Sequence, residues 1–148
     1  MKTALKYGLL ITFVVVLWVV ITHFVFPLAP QSKLNNLAPL LFNLAAIVAI
    51  YLGIRERQRA REMSFKEGLT AGMSITLVYA LSSCLFFFVL FLLVGPKLMA
   101  NEAMAQTELP LWQLALIAFA GMFVGSLILG LVYSTVVSFL LAKRNRAV

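Results

Sequence analysis

GLTAGMSITLVYALSSCLFFFVLFLLV, Gly68 to Val94, contains no acidic, basic or histidine side chain. As a helix rising ~1.5 Å per residue it reaches about 40 Å, longer than the ~30 Å hydrocarbon core of a bilayer. A stretch this long and this apolar reads as a membrane span. Three further apolar segments follow from the same criterion: about 5–26, 37–54 and 111–142, set beside 68–94. Short polar joints separate them. The expected architecture is all-α, a bundle of four transmembrane helices forming one domain over 1–148.

Composition agrees. Of 148 residues, 63% are hydrophobic and 11% charged, and the mean hydropathy is +1.02. A water-soluble domain carries roughly 25% charged residues, so this chain cannot cover a water-facing surface. The second segment is the shortest, and its helix is expected to continue into the arginine-rich joint. Lys2 and Lys6 before an apolar run resemble a signal peptide. The run is too long for one, and Phe26-Pro27-Leu28-Ala29 is a poor small-x-small cleavage site, so a retained first span is expected.

Counting Lys and Arg by segment gives the expected orientation. The N-terminal end holds two, and the second joint holds five: Arg55, Arg57, Arg59, Arg61 and Lys66. The tail holds Lys143, Arg144 and Arg146, which makes ten on one side. The first and third joints hold only Lys33 and Lys97. Both termini and the second joint are therefore expected in the cytoplasm. The net charge of +7 is spread over three juxtamembrane segments as topology requires, which argues against nucleic acid. The second-joint cluster reads as a headgroup-facing loop. Recognition of anionic lipid is the sharper alternative, weakened by the interleaved Glu56, Glu62 and Glu67.

Punctuation marks the ends of the spans. Pro27 and Pro30 close the first, Asn36 with Pro39 opens the second, Gly95-Pro96 ends the third and Pro110 starts the fourth. Tyr7 and Trp112 fall where interfacial aromatics are expected. LMANEAMAQTEL, between the third and fourth spans, reads as a short interfacial helix.

Few groups could carry chemistry. One cysteine, Cys84, and one histidine, His23, rule out an intrachain disulfide and a multi-His metal site. Pumps, coupled carriers and voltage sensors place charged residues at depth, and no Asp, Glu, Lys or Arg lies well inside a span. No Ser-His-Asp arrangement, phosphate loop or HExxH is present. No enzyme activity, cofactor or metal is expected. His23 lies near the outer end of the first span and Asn43 at similar depth on the second, so a His23–Asn43 hydrogen bond is expected as a structural tie. Tyr79, Ser82 and Ser83 enter the third span by roughly 16–22 Å, and Ser126 reaches similar depth from the opposite side. These hydroxyls are expected near one another, either as helix-to-helix bonds or as a polar site.

Small residues recur every fourth position, and residues four apart share a helix face. The third span carries Gly68, Gly72, Thr76, Ala80 and Cys84. The fourth carries Gly121 and Gly125, then Ser126, Gly130, Ser134 and Ser138, and the second Ala45, Ala49 and Gly53. In lipid such ladders mark close helix contacts, within the chain or with another chain. Before the third span, Ser64 and Glu67 have the spacing of a capping box. The rival reading is an anion site at that helix N-terminus assisted by Lys66 and Arg61, which Glu67 would repel.

YLGIRER followed by MSFKEGLTAGMSITLVYAL resembles the central signature of the bacterial membrane-protein family catalogued as domain of unknown function 4199. MKTALKYGLL and GMFVGSLILGLVYSTVVSFLLAKR are similar to its first and last spans. The resemblance implies a four-span inner-membrane protein and carries no reaction, cofactor or site residue. Together the readings point to a non-enzymatic protein that associates through flat helix faces, as a homo-oligomer or an accessory subunit. A small carrier or channel with a polar midplane site is the alternative.

Overall fold

The computed structural model describes residues 2–25, 33–60, 63–94 and 110–145. Four long helices make up the described chain: α1, Lys2–Val20, extended by a π-helical turn over Ile21–Val25; α2, Lys33–Ala60; α3, Phe65–Val94; and α4, Leu111–Asn145. Each is long and apolar enough to cross a membrane, and no strand occurs among the described residues. The outer-loop segment LMANEAMAQTEL lies outside the described residues.

α2 continues to Ala60, as the arginine-rich joint suggested, but begins at Lys33. Pro39 therefore sits inside the helix instead of opening it. Proline removes one backbone hydrogen bond and crowds the preceding turn. Transmembrane helices tolerate it because neighbouring helices and local adjustments satisfy the freed groups. The start of α3 follows its local chemistry. The Ser64 amide donates to Glu67 Oε2 at 2.9 Å and the Glu67 amide to Ser64 Oγ at 3.3 Å, the reciprocal capping box.

α3 is the central element, with α1, α2 and α4 around it. α1 and α3 run parallel: Gly8 packs against Val78, and Thr12, one turn on, against Ser82. α3 and α4 run antiparallel, Gly68 meeting Ser138, Gly72 meeting Ser134 and Gly130 meeting Thr76. Ile11, Ala49, Ile50, Ile54, Ala71 and Ile75 form the core where α1, α2 and α3 meet, with Val137 and Leu141 of α4 closing it.

The burial pattern inverts that of a water-soluble protein. Ala80, Thr76, Ser83, Ser134 and Ser138 are buried, whereas Leu85, Leu93, Leu116 and Leu140 face outward. Lipid tails are as apolar as leucine, so a large side chain gains by facing inward only what its packing adds, as at Ile11, Ile50 and Ile75. Close backbone approach is what holds the helices together. The most apolar stretch of α4 is the least buried of the four: 11% of it is buried within the chain, against 39% for α1.

Candidate functional site

The glycine ladders divide by partner. A Cβ added at Gly68 would lie 2.8 Å from Ser138 Oγ. At Gly72 it would overlap Ser134, and at Gly130 it would overlap Thr76. These three positions are where α3 and α4 touch, and Ala80 is buried one turn further along. Cys84 continues the seam, half-buried with Sγ 4.0 Å from the Phe119 carbonyl. Ser134 Oγ and Ser138 Oγ are fully enclosed with no hydrogen-bond partner among the described residues. Glycine has no side chain to offer them.

On α2, Ala49 is fully buried, and a Cβ at Gly53 would collide with Ile75 and come within 3.1 Å of the Tyr7 ring. Ala45 departs from this ladder: it is half-buried and lines an outer apolar groove between α1 and α2 together with Leu17, Trp18 and Phe42. Gly121 and Gly125 depart further. A Cβ at either meets no atom within 4 Å among the described residues. Their spacing is that of a packing ladder, but α3 contacts α4 along Gly130, Ser134 and Ser138 instead. A further ladder on α1 was not among the sequence expectations, although Ala4, Gly8 and Thr12 carry the spacing. A Cβ at Gly8 would lie 2.9 Å from the Ile75 carbonyl oxygen, which is backbone and cannot move aside.

The intramembrane hydroxyls form two clusters instead of the single one expected. In the first, Thr12 Oγ1 lies 2.5 Å from Ser82 Oγ and 3.4 Å from Ser83 Oγ, tying α1 to α3. Ser82 donates to the Val78 carbonyl at 2.7 Å, so the Thr12 hydrogen goes to Ser82 Oγ, with the Gly8 carbonyl 3.2 Å from Thr12 Oγ1 as the longer, competing acceptor. These bonds satisfy both hydroxyls without any ligand. In the second cluster, Tyr79 of α3 and Ser126 of α4 line one cavity. The Tyr133 hydroxyl donates to Asn43 Oδ1 at 2.9 Å, joining α4 to α2. Side-chain length explains the split. Serine hydroxyls stay at the seam beside their own helix, whereas the tyrosine ring carries its hydroxyl across to the next one. Thr12 and Tyr133 were missed in the sequence because their role depends on which helices are neighbours. The side chain of His23 lies outside the described residues, so the expected His23–Asn43 tie does too.

Asn43, Thr76, Tyr79, Ser126 and Tyr133 surround a cavity of about 40 Å³ among α2, α3 and α4. Its remaining wall is apolar, including Ile11, Phe42 and Leu129. No charged residue lines it. The arrangement can offer hydrogen bonds but has no nucleophile paired with a base. Among the described residues no group of three or more His, Cys, Asp or Glu could hold a metal.

The arginine-rich end has its own cluster. Glu56 Oε2 accepts from Lys6 Nζ at 2.8 Å and from the Tyr7 hydroxyl at 2.7 Å, linking α2 to α1. Lys6 and Glu56 remain 60% and 42% exposed, so solvent screening makes the pair an orienting contact more than a source of stability. Arg55 lies over the Tyr51 ring at 5.8 Å. Arg55, Arg59, Ser64 and Lys66 are exposed and Arg57 is half-buried; Arg61 is outside the described residues. Ser64 and Glu67 are engaged with each other, so the helix N-terminus they cap is already satisfied.

Four apolar helices packed through small residues around an uncharged polar interior define a polytopic α-helical membrane protein. Within that class the assignment is specific: the family described as Protein of unknown function (DUF4199) matches residues 6–143, and the chain belongs to it. Neither a curated protein nor a solved structure matches the chain.

Proposed function

We propose that the protein is a non-enzymatic component of the bacterial inner membrane that self-associates through the outer face of α4. The observation that carries this reading is the pair Gly121 and Gly125. They lie one turn apart on the helix whose apolar stretch is least buried, and a Cβ at either would meet nothing within 4 Å among the described residues. The other glycines among the described residues lie where another helix presses against them. A flat patch of the same kind facing lipid fits a second copy, because close backbone packing drives helix association in bilayers.

Both termini and the Arg55–Lys66 joint are placed in the cytoplasm by the distribution of basic residues. There Arg55, Arg57, Arg59 and Lys66 face headgroups, and recognition of anionic lipid is the sharper alternative that the interleaved Glu56 and Glu67 weaken. An accessory role in a larger membrane complex would use the same face of α4. Nucleic acid has no part in this reading.

Subunit counting by single-molecule photobleaching in lipid nanodiscs or native vesicles tests the proposal. Wild type is expected as a dimer or higher oligomer, and Gly121→Leu with Gly125→Leu as a monomer of unchanged thermal stability. A monomeric wild type, or an assembly indifferent to both substitutions, removes its basis. A small carrier or channel is the second reading, favoured by the uncharged polar cavity. Its test is solute flux in proteoliposomes that is lost on Ser126→Leu.

A further inference from the structure

The cavity among α2, α3 and α4 has a chemistry that self-association does not use. Thr76, Tyr79 and Ser126 lie in the middle third of their spans, so the site is deep in the apolar layer. Tyr133 donates to Asn43 Oδ1, which leaves the Asn43 amide NH2 without a partner among the described residues. Tyr79 and Ser126 line the same cavity, and each hydroxyl brings one donor hydrogen and acceptor lone pairs. Polar groups at this depth call for hydrogen-bonding partners, because the surrounding hydrocarbon supplies none.

We propose that this cavity receives the neutral polar end, a hydroxyl or carbonyl group, of an otherwise apolar molecule dissolved in the bilayer. Three features select that ligand class. The lining is polar but uncharged, so an ion would be stripped of water with no opposite charge to meet it. The volume of about 40 Å³ holds about three water-sized groups, enough for an alcohol or ester end and too little for a phosphate headgroup. The third feature is the rim. Leu129 is 45% exposed on the apolar surface of α4 while also lining the cavity, and Phe42 flanks it on α2. What arrives at such an opening comes from the hydrocarbon. The ligand's tail stays in lipid, and its polar end bridges α2 and α4 beside the existing Asn43–Tyr133 bond.

The same hydrogen bonds could be made by trapped water, and the experiment separates the two sources. The full chain in phosphatidylcholine nanodiscs is irradiated with hexadecanol carrying a diazirine beside its hydroxyl, and adducts are mapped by mass spectrometry. Labelling of Phe42, Leu129 and Tyr133 is expected to exceed that of lipid-facing Leu116 and Leu140 by about tenfold, the ratio that ~1.4 kcal/mol of preference gives. Unlabelled hexadecanol should compete and hexadecane should not. Asn43→Leu should reduce cavity labelling to the Leu140 level. If that variant does not fold, Leu129→Trp, a change at the lipid-facing rim, should close the opening and have the same effect. Even labelling, equal labelling by a diazirine alkane, or indifference to the folded variants overturns the proposal. So does radiolytic labelling from heavy-oxygen water that marks Tyr79 and Tyr133 undiminished at saturating hexadecanol. Repeating the labelling on the Gly121→Leu, Gly125→Leu chain separates this readout from self-association.

Discussion

Gly72 and Gly125 look alike in the sequence. Each sits in a four-residue ladder of small residues in the middle of an apolar helix, and each presents bare backbone on one face. In the folded chain they part company. Gly72 is pressed against Ser134 so closely that even a methyl group would overlap it, whereas a methyl group at Gly125 would meet nothing within 4 Å among the described residues. The spacing of small residues therefore says that a face is flat. It does not say what lies on it. One ladder builds the bundle, and the other lies open on the outer face of α4.

Substitutions at these seams test that distinction, and they order themselves by expected loss of stability. Gly72→Leu should be the most damaging, because the side chain must push α4 off α3. Overpacking of this kind costs typically ~1–3 kcal/mol or more, read as the largest fall in unfolding midpoint in a mild detergent. A midpoint close to wild type would break the comparison at its stronger end. Thr12→Val removes the bond between α1 and the Ser82–Ser83 pair while keeping the shape. Interhelical bonds of this type are worth ~0.6 kcal/mol, so a small but resolvable decrease in the same assay is expected.

Ser134→Ala sharpens the account of the seam itself. Its hydroxyl is enclosed without a partner, and deleting an unsatisfied group is neutral or stabilising. A clear loss of stability would reveal a hydrogen bond at that position. Gly125→Leu should have the least effect on unfolding, within the ~0.5 kcal/mol typical of surface changes. Its expected signature is a fall in subunit number by photobleaching. Destabilisation of the isolated chain to the degree seen at Gly72 would erase the difference between the two glycines.

Much of the fold was legible. Four runs of apolar residues give four helices because a spanning chain must satisfy its backbone internally, and Ser64 with Glu67 announces the start of α3. The segment limits were less accurate where soluble-protein punctuation was applied. Pro39 opens a helix in water but lies within α2, since the bilayer lets a helix continue through it. The polar interior was only half legible. Tyr79 and Ser126 were expected to be neighbours and are, but Ser82 and Ser83 turn to Thr12, and Asn43 finds Tyr133. Those partnerships depend on which helix lies beside which, and apolar periodicity carries little of that when every face of a span is apolar.

The α3–α4 seam resembles a rack whose teeth are all cut alike. Gly68, Gly72 and Thr76 engage Ser138, Ser134 and Gly130. Slide one helix by four residues, about 6 Å, and the same three residues would face Ser134, Gly130 and Ser126, again small against small. A rack of equal teeth cannot tell its own notches apart. The setting must be held by a pawl at the far end, where Phe88 and Phe91 close on Phe119 with ring centres 6.0 and 6.3 Å apart. Backbone contact gives this pair of helices its grip, and three aromatic rings give it its address.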